Sequence, residues 1–510
     1  MVEAIRQKMD RTALILFVSA FIYLCIWVTP ININSDGLDH LSVGRGIADD
    51  GALLELAPHT TGGIAYPETF HVMLALVYMW GGEGMVKFLS PICGALIALF
   101  IYLMLKPVNR CLGVLSGVFA TGFLTHIFLN PLLEPYLLAG AIMAMYFCYL
   151  FFKTEGKKYL WLAALFLGLS MSIKQPGLML FGVVIVVGIV LALYMLLKRG
   201  HRQLLNSVPL LAIVPIAISF APLRDHIERN GALYPGGLNY FHYIHWRGYE
   251  AISRIAKEYL VGPAFWERPE SWVSLLVIPI LVLFILGAIY LYKRDRLLTY
   301  ILLPVLVGEV LLALMAGRLI RHYHVIGIAI APVFLMSSIF FVRKVMNLRL
   351  ASLFLATLLV IFGVSGVFLY NEGWWGDSGR YDDQHISMYK EVGEFIQGNI
   401  PHDAIYLAGT EGFSYYSLKG GGTRVWIQPI FEYKSEQAAV ERLRGNNIDY
   451  IFLETRQIEK ESEWRDYVPS DGLAGYIDES PYFEEVFSVQ SDEGDAFILY
   501  HVLANIDGDR

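Results

Sequence analysis

The sequence predicts a polytopic α-helical membrane protein with about 11 transmembrane helices and a C-terminal soluble α/β domain. Two observations support this prediction. Of 510 residues, 56% are hydrophobic and only 17% are charged, whereas a soluble domain is about half apolar and a quarter charged. Charge is also uneven, because the chain from Glu372 onward carries 27 Asp and Glu against 11 Lys and Arg, and the preceding part is basic. We therefore expect a membrane domain at 1–370 and an acidic extracytoplasmic domain at 371–510.

Apolar stretches bounded by charged residues, Pro or Gly predict the individual spans, since about 20 residues of helix cross a bilayer. They lie at 13–29, 85–105, 111–128, 132–152, 159–173, 177–197, 204–222, 272–292, 297–316, 323–342 and 351–370. Basic clusters fall in every second connection, as expected for cytoplasmic loops. The N-terminus is therefore expected in the cytoplasm of a multi-pass cell-membrane protein, with outer loops 30–84 and 223–271 and the acidic tail on the opposite face.

Two outer segments and the tail carry further predicted elements. Apolar residues from Leu38 to Leu54 recur at helical intervals, and residues 69–80 predict a short helix; both are typical of helices lying along the membrane interface. In the tail, the residue patterns predict helices at 386–397 and 436–444 and strands at 404–408, 449–453 and 497–502. Such alternation favours a small sheet flanked by helices.

An acidic cluster follows the first apolar stretch, in segment 34–40 (NSDGLDH). Asp36 and Asp39 are three residues apart, so in a helix both carboxylates share one face. One carboxylate could act as general base towards a hydroxyl or amine nucleophile, or both could hold a divalent cation. Alternatively, Asp36 caps a helix by accepting from backbone N–H groups. The residues alone leave these interpretations open.

Glu134, in segment 130–135 (NPLLEP), lies where the chain is expected to re-enter the membrane from the outer side. A carboxylate at that depth is costly unless it is paired, which favours a functional role. The alternative is structural, because a carboxylate in the first turn of a helix, ahead of Pro135, is stabilised by the helix dipole.

Basic residues in the outer connections form the other part of the predicted site. Lys174 is the only basic residue in an outer connection of a few residues, which predicts an anionic partner. Arg318 and Arg321, followed by Tyr323, form a second basic group on the same side. Arg binds phosphate through bidentate contacts and Lys as a point charge, whereas snorkelling towards lipid headgroups is the alternative.

Carboxylates and cations on one face of a multispan protein are typical of a reaction in which a phosphate leaves and a hydroxyl attacks. The base deprotonates the acceptor while the cations stabilise the departing phosphate. The residues do not identify the electrophile as a sugar. We expect Asp36, Glu134, Lys174 and Arg321 to line one outward-facing cavity.

Several short motifs follow one another along the membrane part: 36–40 (DGLDH), 66–71 (YPETFH), 134–135 (EP), 168–177 (GLSMSIKQPG), 230–235 (NGALYP) and 321–323 (RHY). Their order and sidedness resemble those of the GT-C superfamily of membrane glycosyltransferases, especially the branch of protein O-mannosyltransferases and lipid A aminoarabinose transferases. Asp36 occupies the place of the catalytic Asp in an Asp-Glu-x-x-Tyr-like motif. Gly37 and His40 depart from that pattern, and Asp39 could supply the missing carboxylate.

The resemblance implies an inverting transferase that takes a sugar from a polyprenyl-phosphate-linked donor at the outer membrane face. Some members need a divalent cation and others do not, so Mg²⁺ or Mn²⁺ is an expectation rather than a requirement, with Asp36 and Glu134 as its ligands. The residues assigned by resemblance are Asp36 and Glu134 as catalytic, Asp39 and His40 as supporting, and Lys174, Arg318, Arg321 and Tyr323 as donor-phosphate binding.

Besides the donor and the bilayer, the expected partner is a protein, lipid or glycan acceptor, and no nucleic acid. The alternative function is a carrier that binds the polyprenyl-phosphate-linked sugar without chemistry. Transporter sites usually lie at the midplane between repeated, broken helices, whereas the charges here cluster at one face. A structural or receptor protein that presents the tail would not explain why Asp36, Glu134 and Lys174 share one side.

Overall fold

A computed structural model describes most of the membrane part and the core of the tail. The described residues are 10–28, 35–50, 69–125, 133–199, 202–230, 277–315, 325–353, 357, 383–408, 412–418, 423–425, 436–455, 477, 480–492 and 494–503. The chain divides into two compact units. The first comprises Met1–Ile31, Tyr66–Phe70 and Gly84–Asp377, and the second comprises Asn32–Ala65, His71–Glu83 and Ser378–Arg510.

The protein is a helical membrane protein. Its helices up to the tail are α1 (Arg11–Val28), α2 (Ser35–Asp50), α3 (Thr69–Leu105), α4 (Arg110–Phe123), α5 (Leu133–Thr154), α6 (Lys157–Met171), α7 (Gln175–Arg199), α8 (Arg202–Asn230), α9 (Val277–Arg294), α10 (Arg296–Met315) and α11 (Val325–Lys344). Among the described residues, five helices are long and apolar enough to cross a membrane: α3, α5, and the apolar parts of α7, α8 and α11.

Helices overlap the first ten of the eleven predicted apolar stretches. The eleventh, 351–370, lies largely outside the described residues. Because fewer helices than that meet the length requirement within the described part of the chain, the number of spans stays a prediction, and so does their orientation.

Helix α3 contains a break at the boundary that the residue pattern predicted between an outer helix and a span. Gly81 and Gly82 leave the helical conformation, and Gly82 has φ +63° and ψ −163°. Only glycine adopts such angles without strain. The predicted helix at 69–80 and the predicted span from 85 are therefore the two halves of α3.

Helix α2 is buried around its whole circumference from Leu41 to Ile47. The apolar periodicity predicted a helix here, and its position along the membrane interface stays a prediction. Burial on every side was not predicted, because Ser42, Gly44 and Arg45 are not apolar in the sequence pattern, yet their small size or specific partners allow burial.

The tail folds into a five-stranded mixed sheet of order β2-β1-β3-β5-β4. Its elements are α12 (Asp383–Asn399), β1 (Ile405–Ala408), a π-helical turn (Phe413–Ser417), β2 (Thr423–Val425), α13 (Glu436–Gly445), β3 (Tyr450–Glu454), β4 (Phe483–Gln490) and β5 (Ala496–Val502). Strand β1 pairs in parallel with β2 and β3, whereas β5 runs antiparallel to both β3 and β4. The predicted helices and three strands are present, whereas β2, β4 and the π-helical turn were not predicted.

The sheet is covered on both faces, as the apolar run of β3 requires. On one side Ile451 and Leu453 pack with residues of α13, Val440 and Leu443. On the other, Tyr389 of α12 packs against Phe452 and Phe497. The hydroxyl of Tyr389 donates to buried Glu454 over 2.6 Å, which gives the carboxylate at the end of β3 a hydrogen-bond donor.

Candidate functional site

The first of the two units, which contains Gly84–Asp377, brings two of the predicted site residues together. Lys174 Nζ forms an ion pair with Glu134 Oε1. The Lys174 side chain is 3% exposed and that of Glu134 is 17% exposed, so the pair is shielded from solvent within the protein. The anionic partner predicted for Lys174 is therefore Glu134. Both interpretations of Glu134 remain open, since it also lies in the first turn of α5.

The backbone around Lys174 explains why the lysine is held in place. Lys174 lies in the turn between α6 and α7, and its carbonyl accepts from the Gly177 N–H over 2.9 Å. A Cβ on Gly177 would lie 1.9 Å from the carbonyl oxygen of Ser170. Because no side chain fits there, glycine is needed for this close approach of the two helices, and the turn that carries Lys174 is fixed.

Aromatic packing surrounds the first turn of α5. Tyr136 is buried and packs at a tilt against Phe70, with ring centroids 4.7 Å apart. Pro135, which follows Glu134 in the chain, is buried as well. The carboxylate is therefore balanced by Lys174 in low-dielectric surroundings, where the attraction within an ion pair is strong and the loss of one partner is costly.

The predicted acidic cluster lies on α2, in the second unit. The helix begins at Ser35, so Asp36 is in its first turn and Asp39 follows about one turn later, as expected. The side chains of these two aspartates lie outside what the structure describes. His40 is described, and its Nδ1 lies 3.0 Å from Nε2 of the fully buried His71 on α3.

The predicted phosphate-binding group of the later outer connection falls in 316–324, outside the described residues; its members are Arg318, Arg321 and Tyr323. Of the cavity expected to be lined by the acidic and basic groups, the structure shows only the pairing of Glu134 with Lys174. The rest of the cavity stays a prediction. The catalytic and binding roles stay predictions as well.

The sequence patterns did not reveal one buried carboxylate next to that segment. Glu309 of α10 is fully buried, and its Oε2 accepts from the Gly327 N–H over 2.6 Å. Gly327 lies in the first turn of α11, where N–H groups lack intrahelical partners. Glu309 is the only acidic residue in the apolar stretch 297–316, and that isolation was the signal that could have found it.

The expected metal site is not tested by the side chains that are described, because that of Asp36 is not among them. Within that part of the chain, no three His, Cys, Asp or Glu residues are grouped to hold a metal ion. Of the two expected ligands, Glu134 is engaged through Oε1 by the ammonium of Lys174. The need for a metal stays a prediction.

Comparisons with known proteins agree with this architecture. Residues 78–228 match the family model of dolichyl-phosphate-mannose-protein mannosyltransferase. Among solved structures, ArnT from Cupriavidus metallidurans bound to undecaprenyl phosphate is 11% identical with a TM-score of 0.59, covering 98% of this chain and 99% of that one. AglB from Archaeoglobus fulgidus, an oligosaccharyltransferase in complex with an inhibitory peptide and a dolichol-phosphate, is 12% identical with a TM-score of 0.57, covering 95% and 74%. No curated protein sequence matches the chain significantly.

The structural matches show the fold, and the family match covers less than a third of the chain. Both comparisons point to the membrane glycosyltransferases that the motifs resemble. The matched stretch contains both Glu134 and Lys174.

Proposed function

We propose that the protein is an inverting glycosyltransferase that moves a sugar from a polyprenyl-phosphate-linked donor to a protein, lipid or glycan acceptor at the outer membrane face. The main observation behind the proposal is the buried ion pair of Glu134 and Lys174 inside the stretch that matches the mannosyltransferase family. ArnT and AglB, which share the fold, were solved with undecaprenyl phosphate and a dolichol-phosphate, which supports a donor of this lipid class.

The proposed reaction is a single displacement at the anomeric carbon. Asp36 accepts the proton of the acceptor hydroxyl, whose oxygen attacks the anomeric carbon from the face opposite the phosphate. The bond between that carbon and the phosphate oxygen breaks, and polyprenyl phosphate leaves with the electron pair. Attack from the opposite face inverts the configuration of the sugar.

The cations stabilise the charge that develops on the leaving phosphate. Lysine has three N–H donors, so an ammonium held by one carboxylate can also donate to a phosphate oxygen. In this proposal Glu134 holds the Lys174 ammonium in place, while Arg318, Arg321 and Tyr323 provide further donors. Preorganised charge of this kind needs no rearrangement when the phosphate departs.

The test is sugar transfer by the purified protein from a panel of polyprenyl-phosphate sugars to membrane and cell-envelope extracts. Asp36→Asn keeps the size of the side chain and removes the base, so we expect transfer to fall by about 10²-fold or more while donor binding persists. Asp403→Asn, at an exposed position of the tail, is the matched control and should transfer at the wild-type rate.

The outcomes separate the possible functions. Equal transfer by wild type and Asp36→Asn would move the base to Asp39 or Glu134. Donor binding without transfer by the wild type, across acceptor extracts, would support the carrier. The metal expectation is tested in the same assay by chelation, and loss of transfer restored by Mg²⁺ or Mn²⁺ would show that a cation is needed.

A further inference from the structure

Helix α2, which carries the proposed base, is packed closely against the first half of α3. A Cβ on Gly44 would lie 2.9 Å from the Leu74 Cβ, so the two helices meet without space for a side chain. One turn earlier, the imidazoles of His40 and His71 lie in hydrogen-bond contact. This packing fixes one side of α2.

Another side of α2 is tied to the C-terminal domain by a buried arginine. Arg45 is 6% exposed, and its Nη2 donates to the backbone carbonyl of Leu418 over 3.2 Å. Burying a guanidinium is costly unless it finds hydrogen-bond partners. On a helix without protein neighbours, the Arg45 guanidinium would be hydrated. Because it is buried here, it needs a hydrogen-bond acceptor in the protein, and the Leu418 carbonyl is one.

The acceptor of this hydrogen bond belongs to a well-anchored part of the domain. Leu418 is fully buried and follows the π-helical turn directly, with its N–H bonded to the Phe413 carbonyl. The neighbouring Ser417 Oγ donates to the backbone carbonyl of Tyr389 over 2.7 Å. Tyr389 is itself packed in the aromatic core on α12. Arg45 is therefore bound to an anchored point of the domain rather than to a surface loop.

We propose that Arg45, through the carbonyl of Leu418, makes the C-terminal domain a positioning element for the first turns of α2 and hence for the acidic cluster of Asp36 and Asp39. This inference rests on the proposed function. Arg45 acts as a positioning residue, since it lies about two and a half turns from Asp36 along the same helix. Its effect is expected on the rate of transfer and not on donor affinity.

The experiment compares Arg45→Met with wild type in the full-length protein. Methionine keeps an unbranched apolar stem and removes the hydrogen bond. We expect kcat to fall by about 100-fold, the loss typical of a small misplacement of a reacting group, with the KM for the donor within about 2-fold of wild type. Arg45→Lys restores a donor and a charge, so it should recover part of kcat.

Arg444→Ala is the matched control for the loss of an arginine. Arg444 also donates to a backbone carbonyl of this domain, that of Leu503 over 3.0 Å, but it is exposed. The kcat of Arg444→Ala should therefore equal that of wild type.

A second pair of variants keeps the test decisive if Arg45→Met does not fold. Ser417→Ala removes the hydrogen bond to the Tyr389 carbonyl that anchors the segment ending at Leu418; it should lower kcat with the donor KM unchanged, and a wild-type kcat would overturn the proposal. Ser488→Ala, which removes an exposed hydrogen bond to Glu485, is its control and should leave kcat unchanged.

Wild-type kcat in folded Arg45→Met would overturn the proposal. The proposal would also be overturned if Arg45→Met lowered kcat, raised the donor KM and lowered thermal stability together, and if Arg45→Lys restored none of the three. That result would indicate a structural role alone. The Asp36→Asn variant separates this inference from the proposed function. An inactive Asp36→Asn with a fully active Arg45→Met refutes only the positioning role, whereas an active Asp36→Asn refutes the base itself.

Discussion

The two ends of helix α5 carry ion pairs of opposite character. At its first turn Glu134 pairs with Lys174, and both side chains are largely removed from solvent. At its last turn Lys153 pairs with Asp295 over 3.5 Å, with the lysine side chain 42% exposed. The two carboxylates are about equally shielded, with Asp295 16% and Glu134 17% exposed, so the pairs differ in the exposure of the lysine. Tyr149 also donates to Asp295 over 2.6 Å. In the sequence, Glu134 and Lys153 are each a charged residue at the end of an apolar stretch. Because the Lys174 ammonium is buried and the Lys153 ammonium is not, we expect a large loss of stability only when the Glu134–Lys174 pair is broken.

The difference in burial between the two ion pairs indicates which charged residues at helix ends are candidates for a function. An exposed pair contributes about 0–1 kcal/mol and suits a helix terminus of any membrane protein. A buried pair gains little stability over apolar packing, because the desolvation of both ions offsets their attraction. Stability alone does not account for such a pair, which agrees with the proposed binding of phosphate by Lys174.

The largest effect is expected from Lys174→Met. The substitution leaves the Glu134 carboxylate, which is 17% exposed, without its ammonium, and this should lower the free energy of unfolding by up to about 3 kcal/mol. Sugar transfer should be lost as well. Thermal unfolding in detergent and the transfer assay measure the two effects.

The double variant Glu134→Gln/Lys174→Met separates stability from chemistry. Removing both charges should restore most of the lost stability, because no ion of this pair remains buried, while transfer stays absent. If the double variant regained transfer, Lys174 would have no role in binding the donor phosphate.

An intermediate effect is expected at Glu309, a buried carboxylate that accepts from a backbone N–H. Glu309→Leu removes the acceptor of the Gly327 N–H and leaves that donor buried, at a cost of about 1–3 kcal/mol in the free energy of unfolding. Glu309→Gln keeps an oxygen acceptor, so its free energy of unfolding should fall by less than that of Glu309→Leu. Equal thermal stability of the Leu variant and wild type would show that this hydrogen bond does not hold the start of α11.

The smallest effect is expected from Lys153→Ala. Asp295 keeps two other partners, Tyr149 and the Leu298 N–H at 3.1 Å, so the loss should be no more than about 1 kcal/mol and smaller still at high salt. Transfer should be unchanged. A loss as large as that of Lys174→Met would mean that burial does not distinguish the two ends of α5.

Local patterns predicted the helices and most of the tail sheet well. The apolar stretches coincide with helices because apolar length and flanking charge are local properties. Strand β4 was missed because its sequence (FEEVFSVQ) carries two adjacent acidic residues and is mostly half-buried or exposed. Strand β2 was missed because three residues give no period to detect.

The candidate site was predicted only as a set of residues. Lys174 stood out because a basic residue in a short outer connection opposes the general trend, and Glu134 because it precedes a proline at a membrane boundary. Neither feature identified the partner. Arg45 was missed because a charged residue in a helix pattern is normally assigned to a solvated face, and only burial shows otherwise. Glu309 was missed although its isolation in an apolar stretch was a signal.

The sequence by itself determined that this is a multispan membrane protein with an acidic α/β tail and a motif order that resembles that of GT-C glycosyltransferases, because composition, hydropathy and short motifs are properties of the chain near each residue. The tertiary structure decided the rest. It paired Glu134 with Lys174 across 40 positions and joined Arg45 to Leu418 across 373. Contacts over such separations depend on how helices pack, and packing is set by the whole fold rather than by any local pattern.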